Sequence, residues 1–464
     1  MKRYLTILGI VLATLLLASC GGGEAEPSEG TPTGRTEFPT PESPVTITFW
    51  HSMTAANEET LEALADRFNS THPWARVKLV FQGTYQDNLN KVLASLGSQD
   101  LPAVAQLEDT TVQRMVDSGA IVPMYGFIER DNYDLSDFEQ RVIDYYSVQN
   151  KLYSMPFNVS NPILYYNKKA FEEVGLDPDS PPRTLQEVRE YSEKLIERDA
   201  GGNVTRSGIS LEISAWYFEQ MLAAHDDLYV DNGNGREARA TEVLLDNEAG
   251  LEIFTWWHEM VDEDLAVNVG RNPSGLDALL AIGVERVAMT IGSSAALRSV
   301  VDILGGGEFP NVELGTGPMP VLEGSEGGVI VGGASLWILK DRPVEEQEAA
   351  WEFVKFLVEP QSQAEWYAGS GYLPIRRSAL ELEPSIQVQE QYPHFAIAVE
   401  QLQATPGGPA TAGAVIGPFA EVREAIMTAI ERMLLRGSSP EDALRGAAEE
   451  ANRALEDYAR RVGD

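Results

Sequence analysis

Along most of this chain, segments in which apolar and polar residues alternate are followed by segments with apolar residues at helical spacing. This order limits the folds that the chain can adopt. Residues 45–50 and 75–82 alternate apolar with polar side chains, which predicts two half-buried strands. Residues 57–68 and 85–96 carry apolar residues at helical spacing, and residues 103–108 predict a third strand. Strands that alternate with helices in this way form βαβ units, so we predict a largely parallel sheet.

The second half of the chain repeats the alternation with longer helices. Thr184 and Glu187 form a predicted capping box at the start of a helix that runs to about Arg198. Apolar runs at residues 287–294 and 329–339 predict two buried strands, and Ser439 precedes a Pro at the start of a final amphipathic helix. The prediction is an α/β fold with two lobes in one chain.

The N-terminus indicates export. Lys2 and Arg3 precede an apolar run that fits a signal peptide and is shorter than a membrane-spanning helix. The run ends in the sequence LASC, which resembles a bacterial lipobox, so we predict a signal peptide over 1–19 and lipidation of Cys20. The alternative is a secretory signal with an unrelated Cys. Residues 20–44 are rich in Gly, Pro, Glu, Ser and Thr, which predicts a flexible linker with a reach of about 25–30 Å.

Composition limits the possible partners. The chain has 464 residues, of which 43% are hydrophobic, so the part beyond the linker can form one large or two medium domains. A formal net charge of −36 argues against a nucleic acid partner, because phosphates would be repelled. Cys20 is the only cysteine in the sequence, so no disulfide within the folded part is predicted.

Motifs for catalysis, cofactors and metals are missing from the sequence. It contains no G-x-S-x-G turn, no Walker loop and no G-x-G-x-x-G after a strand. The five His residues are widely separated, and His258 lacks the second His of a zinc-binding helix. Two of the 71 acidic residues could still form a catalytic dyad. The prediction is therefore a protein without cofactor or metal that is not an enzyme.

Small polar or aromatic residues interrupt apolar segments at four places, which are residues 158–161, 292–294, 332–335 and 371–372. Gly allows a ligand to approach the backbone, Ser donates or accepts hydrogen bonds, and Tyr and Trp offer a flat apolar face. Each interruption alone also fits an ordinary turn. Together they predict a cleft for a polyhydroxylated small molecule, close to crossings between the lobes.

Five stretches carry a family resemblance: FWHSM (49–53), GTYQDNL (83–89), PFNVSNPILYYNKKAFEEVGLDP (156–178), GGASLW (332–337) and SGYLPI (370–375). In this order they resemble the family 1 extracellular solute-binding proteins of bacterial ABC importers, nearest to the glycerol-3-phosphate-binding branch. The resemblance runs from about Thr46 to the C-terminus. It implies an α/β, two-lobed periplasmic-binding-protein (Venus flytrap) fold with the ligand cleft between the lobes. We expect lobe 1 to comprise 45–157 and 290–328, and lobe 2 to comprise 158–289 and 329–464.

The resemblance also implies a set of ligand contacts. Tyr85 would contact the ligand from the first lobe and Tyr372 from the far lobe. Glu108 would accept hydrogen bonds from glycerol hydroxyls, and the Arg423 guanidinium would hold a phosphate, which suits both groups chemically. The other implied contacts are the hydroxyls of Ser160 and Ser293, the backbone N–H of Gly333 and the ring of Trp216. Two of these residues have alternatives, since Arg423 could pair with a neighbouring Glu (421 or 424) and Glu108 could cap a helix.

One departure from the family concerns the wall beneath the glycerol. The family carries two tryptophans three residues apart, whereas this chain has Ile213 and Trp216. A wider wall would suit a glycerophosphodiester such as glycerophosphocholine, or a small sugar, as well as glycerol-3-phosphate.

The function implied is that of an extracytoplasmic receptor, anchored to the membrane through Cys20, which closes on its solute and delivers it to the permease subunits of an ABC importer. The family implies a monomer. Three alternatives remain: a receptor for sugars or oligosaccharides, a secreted hydrolase of glycosides or phosphodiesters, and a structural surface lipoprotein. They differ in whether Arg423 matters for binding, whether a product forms, and whether any ligand binds.

Overall fold

The computed structural model describes residues 44–98, 100–271, 276–305 and 308–463. The strands are β1 (Val45–His51), β2 (Ala75–Phe81), β3 (Val104–Glu108), β4 (Ile121–Val122), β5 (Ser147–Val148), β6 (Lys151–Leu152), β7 (Met155–Ser160), β8 (Pro162–Asn167), β9 (Glu197–Arg198), β10 (Val204–Leu211), β11 (Ala266–Asn268), β12 (Val287–Ser293), β13 (Leu314–Pro318) and β14 (Gly332–Leu339).

The right-handed helices are α1 (Ala55–Thr71), α2 (Tyr85–Ser95), α3 (Val112–Ser118), α4 (Met124–Asp131), α5 (Gln140–Tyr146), α6 (Lys168–Glu173), α7 (Leu185–Leu195), α8 (Ala215–Ala224), α9 (Glu248–Asp262), α10 (Leu276–Gly283), α11 (Leu297–Gly305), α12 (Val344–Leu357), α13 (Pro360–Ser370), α14 (Glu383–Gln391), α15 (His394–Ala404), α16 (Phe419–Arg436) and α17 (Pro440–Val462). Short 3-10 turns follow β3 at Asp109–Thr111 and β12 at Ser294–Ala296. Residues of positive φ form a left-handed turn within Asp231–Gly235.

The first sheet is mixed and has the order β2-β1-β3-β14-β4, with β7 also paired to β14. Strand β1 is parallel to β2 and β3, as the βαβ pattern predicted. Strand β14 is antiparallel to β3, β4 and β7. The prediction of a largely parallel sheet is therefore correct for the N-terminal strands and wrong for β14, which enters the sheet from the other lobe.

The second sheet has the order β11-β10-β12-β8-β13, with the short β9 attached to β10. Strand β10 is parallel to β11 and β12, and β8 is antiparallel to β12 and β13. Helices cover each sheet: α1 and α12 pack on the first sheet, and α7 and α10 pack on the second. The C-terminal helices α16 and α17 pack on each other and on α9. The α/β fold with two lobes is confirmed.

The predicted lobe boundaries are partly wrong. Residues 290–328 were expected in lobe 1, but β12 and β13 belong to the sheet of lobe 2. Residues 329–464 were expected in lobe 2, but β14 lies in the sheet of lobe 1, and α12 packs on β1. Only the end of the chain, with α16 and α17, returns to lobe 2. A buried strand is apolar on both faces in either sheet, so its composition does not reveal which lobe it joins.

The chain crosses between the lobes at three places that lie side by side. The first crossing is Asn161, between β7 and β8; the second connects β13 to β14, and the third connects α15 to α16. Asn161 Nδ2 donates to the backbone oxygen of Ala398 at 2.9 Å, and Gln401 Nε2 donates to that of Pro162 at 2.8 Å. Val329 N donates to Thr405 Oγ1 at 3.2 Å. These bonds tie the crossings together.

Helix starts were predictable from local chemistry. Thr184 Oγ1 accepts from the backbone N–H of Glu187 at 3.1 Å, and Glu187 Oε2 accepts from that of Thr184 at 3.3 Å, so the capping box is confirmed. Helix α7 ends at Leu195, short of the predicted Arg198, because Glu197–Arg198 pairs with β10 as β9. The final helix begins at Pro440 with Ser439 as its cap, as predicted.

Candidate ligand-binding cleft

The first crossing strand, β7, carries a buried polar network. Asn158 is fully buried, accepts from Gln106 Nε2 at 2.7 Å and donates to the hydroxyl of Tyr85 at 2.9 Å. Gln106 Oε1 accepts from the backbone N–H of Ser52 at 3.0 Å. The polar centre of this strand was expected to face ligand, but the side chains of Asn158 and Asn161 bind protein groups instead. They position the residues that line the cleft.

Tyr85 and Tyr372 meet at the end of this network. Their hydroxyl oxygens are 3.3 Å apart, and Tyr85 is the first residue of α2, whose capping box is formed by Thr84 and Asp87. The Tyr372 ring stacks on Trp366 of α13 at 5.5 Å, with 10° between the planes. Because α13 packs on α1, Tyr372 belongs to lobe 1, and the expectation that it lies on the far lobe is wrong.

Arg423 of α16 forms the ionic contact between lobes at the centre of the cleft. Its Nε and Nη2 donate to the two carboxylate oxygens of Glu219 at 2.8 and 2.7 Å. Its Nη1 reaches Oε1 of Glu108, at the end of β3, at 3.4 Å. The Arg423 side chain is 14% exposed and that of Glu219 is 3% exposed. The cleft therefore joins a cation of lobe 2 to a carboxylate of lobe 1.

Both alternatives for these residues are wrong. Glu421 pairs with Arg114, and Glu424 pairs with Arg271, so Arg423 makes no ion pair with either helix neighbour. Glu108 precedes the 3-10 turn at Asp109–Thr111 but makes no capping bond through its side chain. Its Oε2 accepts from Thr110 Oγ1 at 3.1 Å, which leaves Oε1 directed at Arg423.

Asp109 adds a third carboxyl group to the cleft. It is 5% exposed, and its Oδ2 accepts a hydrogen bond from the hydroxyl of Tyr145 on α5 at 2.5 Å. Burial raises the pKa of Asp109 from 3.8 to about 7, while the Arg423 guanidinium acts in the opposite direction. Burial also raises the pKa of Glu219, again against the effect of Arg423. Three carboxyl groups thus surround one guanidinium.

Glycines bring the backbone of β14 against the cleft wall. Gly333 has φ +117°, and a Cβ there would lie 1.9 Å from the backbone oxygen of Asn158. A Cβ on Gly332 would lie 2.7 Å from Cζ2 of Trp216, so the half-buried indole packs directly on the strand. Ser160, 4% exposed, lies opposite Gly332 in β7. Ile213, at the position of the second family tryptophan, is 3% exposed and joins the core of lobe 2.

Ser293 lies at the end of β12, on the other side of the first crossing. Its Oγ accepts from the backbone N–H of Ala295 at 3.2 Å, and its backbone oxygen accepts from the Tyr165 hydroxyl at 2.8 Å. The next residue, Ser294, hydrogen-bonds Asn161 through its backbone N–H at 2.9 Å. Ser293 is half-buried beside the crossing, and its role toward a ligand stays a prediction.

The structure brings the predicted residues to one region but adds partners that were not predicted from the sequence. The missed residues are Gln106, Asp109, Asn158 as a structural group, and Glu219. A signal existed for two of them: Gln106 interrupts an apolar strand, and Glu219 lies in a helix whose other residues from Tyr217 to Ala224 are apolar except Gln220. A polar residue in such a segment indicates a buried partner, because burying it alone is costly.

Ion pairs also join the lobes along one rim of the cleft. Arg114 of α3 donates through Nη2 to both carboxylate oxygens of Glu421 at 2.6 and 2.7 Å. Asp117 accepts from Arg239 at 2.9 Å and from the Tyr458 hydroxyl at 2.8 Å. A small pocket, open in part to solvent, is lined from both lobes by Tyr85, Glu108, Arg114, Gly417 and Ala420, among others. The lobes therefore touch around a small space lined by both polar and apolar groups.

Gly333→Ala is expected to lower the free energy of unfolding by about 2–5 kcal/mol, which combines the strain of a positive φ with the clash against Asn158. Gly324→Ala is the matched control, since Gly324 has φ +78° with no atom within 4 Å of a Cβ, so it should cost only about 1–2 kcal/mol. Urea unfolding of the full chain measures both. Equal losses would show that the close approach of β14 to β7 does not matter.

Comparison with known proteins identifies the family. The family model for bacterial extracellular solute-binding proteins matches residues 63–396. This chain belongs to that family. It is 30% identical over 418 residues to the sn-glycerol-3-phosphate-binding periplasmic protein UgpB of Salmonella paratyphi A, covering 88% of this chain and 92% of that protein. The resemblance found in the sequence, including the prediction of a solute-binding protein of the ABC importer class, is confirmed.

Solved structures show the same fold. UgpB of Mycobacterium tuberculosis, in complex with glycerophosphocholine, superposes with a TM-score of 0.75 at 21% identity, covering 89% of this chain and 99% of that one. The GacH receptor of Streptomyces glaucescens, solved unliganded and with acarbose, gives a TM-score of 0.73 at 21% identity, with the same coverage. Both likenesses support the periplasmic-binding-protein fold of this chain.

Relatives in this family are solute-binding receptors rather than enzymes and act outside the cytoplasm. Within the described ranges, none of the helices combines the length and hydropathy that crossing a bilayer requires. The signal peptide, Cys20 and the linker lie outside the described residues. The described part also contains no group of three or more His, Cys, Asp or Glu residues arranged to hold a metal ion.

Proposed function

We propose that this chain, as the substrate-binding component of an ABC importer, captures glycerol-3-phosphate or a glycerophosphodiester between its lobes and delivers it to the permease. One observation carries the proposal: Arg423 of lobe 2 meets Glu108 of lobe 1 across the cleft at 3.4 Å. A guanidinium binds phosphoryl oxygens, and a carboxylate accepts hydrogen bonds from hydroxyls. The phosphate and the glycerol hydroxyls of such a ligand would therefore each have a partner where Arg423 and Glu108 meet.

The walls of the cleft suit the rest of the ligand. Trp216 offers a flat apolar face, and Tyr85 and Tyr372 offer hydroxyls that at present bond each other. Ser160, Ser293 and the N–H of Gly333 are the further contacts that we propose. The relatives named for sn-glycerol-3-phosphate and the neighbour solved with glycerophosphocholine support this choice of ligand.

Binding in the cleft would favour the closed state, because the ligand would contact both lobes and so stabilise the form in which they touch. The rim contacts of Asp117 and Arg114 would then form part of the surface that the permease recognises. We further propose that the receptor acts as a monomer tethered through lipidated Cys20 at the outer face of a bacterial membrane.

A thermal-shift series on the full chain tests the function. The ligands are glycerol-3-phosphate, glycerophosphocholine, glycerol-2-phosphate, inorganic phosphate, maltose, trehalose and glucose. A ligand at a hundred times its Kd adds about 2.7 kcal/mol of stability, which gives a clear rise in Tm. We expect a rise with phosphorylated glycerols and not with sugars.

A second candidate is a sugar receptor, favoured by the three carboxyl groups and the Trp216 face in the cleft and by the acarbose complex of the GacH receptor. A rise with sugars alone would establish it and reject the phosphate ligand. Formation of glycerol-3-phosphate and choline from glycerophosphocholine would instead identify a hydrolase, and no rise with any ligand would reject the receptor.

A further inference from the structure

The guanidinium of Arg423 offers a ligand only one of its edges. Glu219 occupies the Nε and Nη2 edge through two hydrogen bonds of 2.8 and 2.7 Å. The hydroxyl of Tyr229 lies 3.4 Å from Oε1 of the same Glu219 carboxylate. The remaining edge, formed by Nη1 and Nη2, is the one that faces Glu108. A phosphoryl group must therefore bind end-on, beside Glu108.

The charge of Arg423 is also cancelled locally. Glu219 is 4% exposed and pairs with Arg423 alone among the described cations, so the buried pair is close to neutral. Glu108 and Asp109 are then left without a cation whose charge is not already offset by another carboxylate. Arg114, which lines the pocket beside Glu108, is paired with both carboxylate oxygens of Glu421. The described part of the cleft is therefore neutral to negative before any ligand enters.

Ligands of the proposed class differ in the charge that they bring. The second phosphate pKa of a monoester is about 6, so glycerol-3-phosphate is largely a dianion at pH 8, whereas a phosphodiester stays a monoanion. A dianion next to Glu108 and Asp109 meets like charge at short range in a poorly solvated site, which is costly. A monoanion costs less and still satisfies the free edge of Arg423.

We propose that Glu219 is a specificity-determining residue, which orients Arg423 and offsets its charge so that the cleft selects a phosphodiester monoanion over a phosphomonoester dianion. The inference rests on the proposed function and narrows its ligand class to glycerophosphodiesters. Glu219 acts through Arg423 and does not itself touch the ligand.

Calorimetric titration of the full chain with three probes tests this inference. The probes are glycerol-3-phosphate, glycerophosphocholine and glycerophosphoglycerol; the last is a diester without a cationic group, so it separates the effect of phosphate charge from that of choline. The quantity compared is the ratio of monoester to diester affinity at pH 5 and pH 8. Protonation of Asp109, which faces Glu108, Glu219, Arg423 and Tyr145, affects the binding of every probe, and the ratio cancels much of that effect.

In the wild-type chain the diesters should bind at least tenfold more tightly than glycerol-3-phosphate at pH 8, and the gap should shrink at least fivefold at pH 5. Glu219→Gln should raise the monoester-to-diester ratio at pH 8 at least fivefold, and Glu219→Asp, which keeps the charge, should leave the ratio near wild type. Glu424→Gln is the matched control, on the helix that carries Arg423, since Glu424 also pairs bidentately with an arginine, but on the exposed face.

Two outcomes would overturn the inference alone, and a third would also reject the proposed function. Equal monoester and diester affinities in the wild type, with no change in their ratio between pH 5 and 8, would reject it without any variant. A Glu219→Gln chain that folds, binds the diester and keeps the wild-type ratio would show a purely structural role. Binding of none of the three probes to the wild type would reject the proposed function itself, and the inference with it.

Discussion

Arg423→Ala should weaken glycerophosphodiester binding at least tenfold and should also destabilise the fold. The binding loss follows because the end-on guanidinium edge is the cationic hydrogen-bond donor that the cleft presents beside Glu108. The stability loss follows because Glu219, 3% exposed at its side chain, would keep a buried charge without its partner, which costs about 3–5 kcal/mol. Isothermal calorimetry and urea unfolding of the full chain measure the two effects separately.

A double variant separates binding from stability. Arg423→Ala with Glu219→Gln should recover much of the lost stability, since the unpaired charge is removed, but it should not recover binding. Arg271→Ala is the control, because Arg271 pairs with Glu424 and Glu431 on the exposed face of the same helix. Binding of the diester at wild-type affinity by a folded Arg423→Ala chain would contradict the phosphate contact.

Asp109→Asn should gain stability relative to the wild type as the pH rises from 5 to 8. The folded-state pKa of Asp109 is raised to about 7 from 3.8, so the stability of the carboxyl form is fully present below about pH 4 and is lost as the pH rises through 7. The loss amounts to at most about 4 kcal/mol, at 1.36 kcal/mol for each unit. Removing the titration should flatten this part of the profile.

The difference between the two profiles isolates Asp109 from other groups. His51 acts in the opposite sense, because burial lowers its folded-state pKa to about 4, so its stability contribution is lost as the pH falls below 6.5 toward 4. That contribution is common to both chains and cancels. Asp302→Asn, at an exposed ion pair with Arg298, is the control. A wild-type minus Asp109→Asn difference that is constant from pH 4.5 to 8 would contradict the raised pKa.

Elements set by local chemistry could be predicted from the sequence. The strands of the first βαβ units, the capping box at Thr184 and the start of the last helix all depend on residues close in sequence. The lobe membership of β12 and β14 could not be derived in this way, because it depends on which sheet a buried strand joins after the chain has crossed between the lobes. The resemblance gave the fold but not these boundaries.

In the ligand cleft, too, some features could be predicted from the sequence and others depend on tertiary structure. The positions of Tyr85, Glu108 and Arg423 follow from the family motifs. In the structure Tyr85 and Glu108 line the same pocket, and Arg423 contacts Glu108. The partner of Arg423 was not predictable from its own helix, where Glu421 and Glu424 were the nearer choices, because Glu219 is distant in sequence and meets Arg423 only through the packing of α8 on α16. Long-range pairs of this kind depend on tertiary structure rather than on spacing.

A crystal structure of the chain with glycerophosphocholine would show directly whether Arg423 binds the phosphate of the ligand. We expect the ligand between the lobes, with a phosphoryl oxygen about 2.7–3.2 Å from Nη1 or Nη2 of Arg423, Glu219 still on the other edge, and glycerol hydroxyls at Glu108. Ligand bound elsewhere, or bound in the cleft with its phosphate away from Arg423, would contradict it.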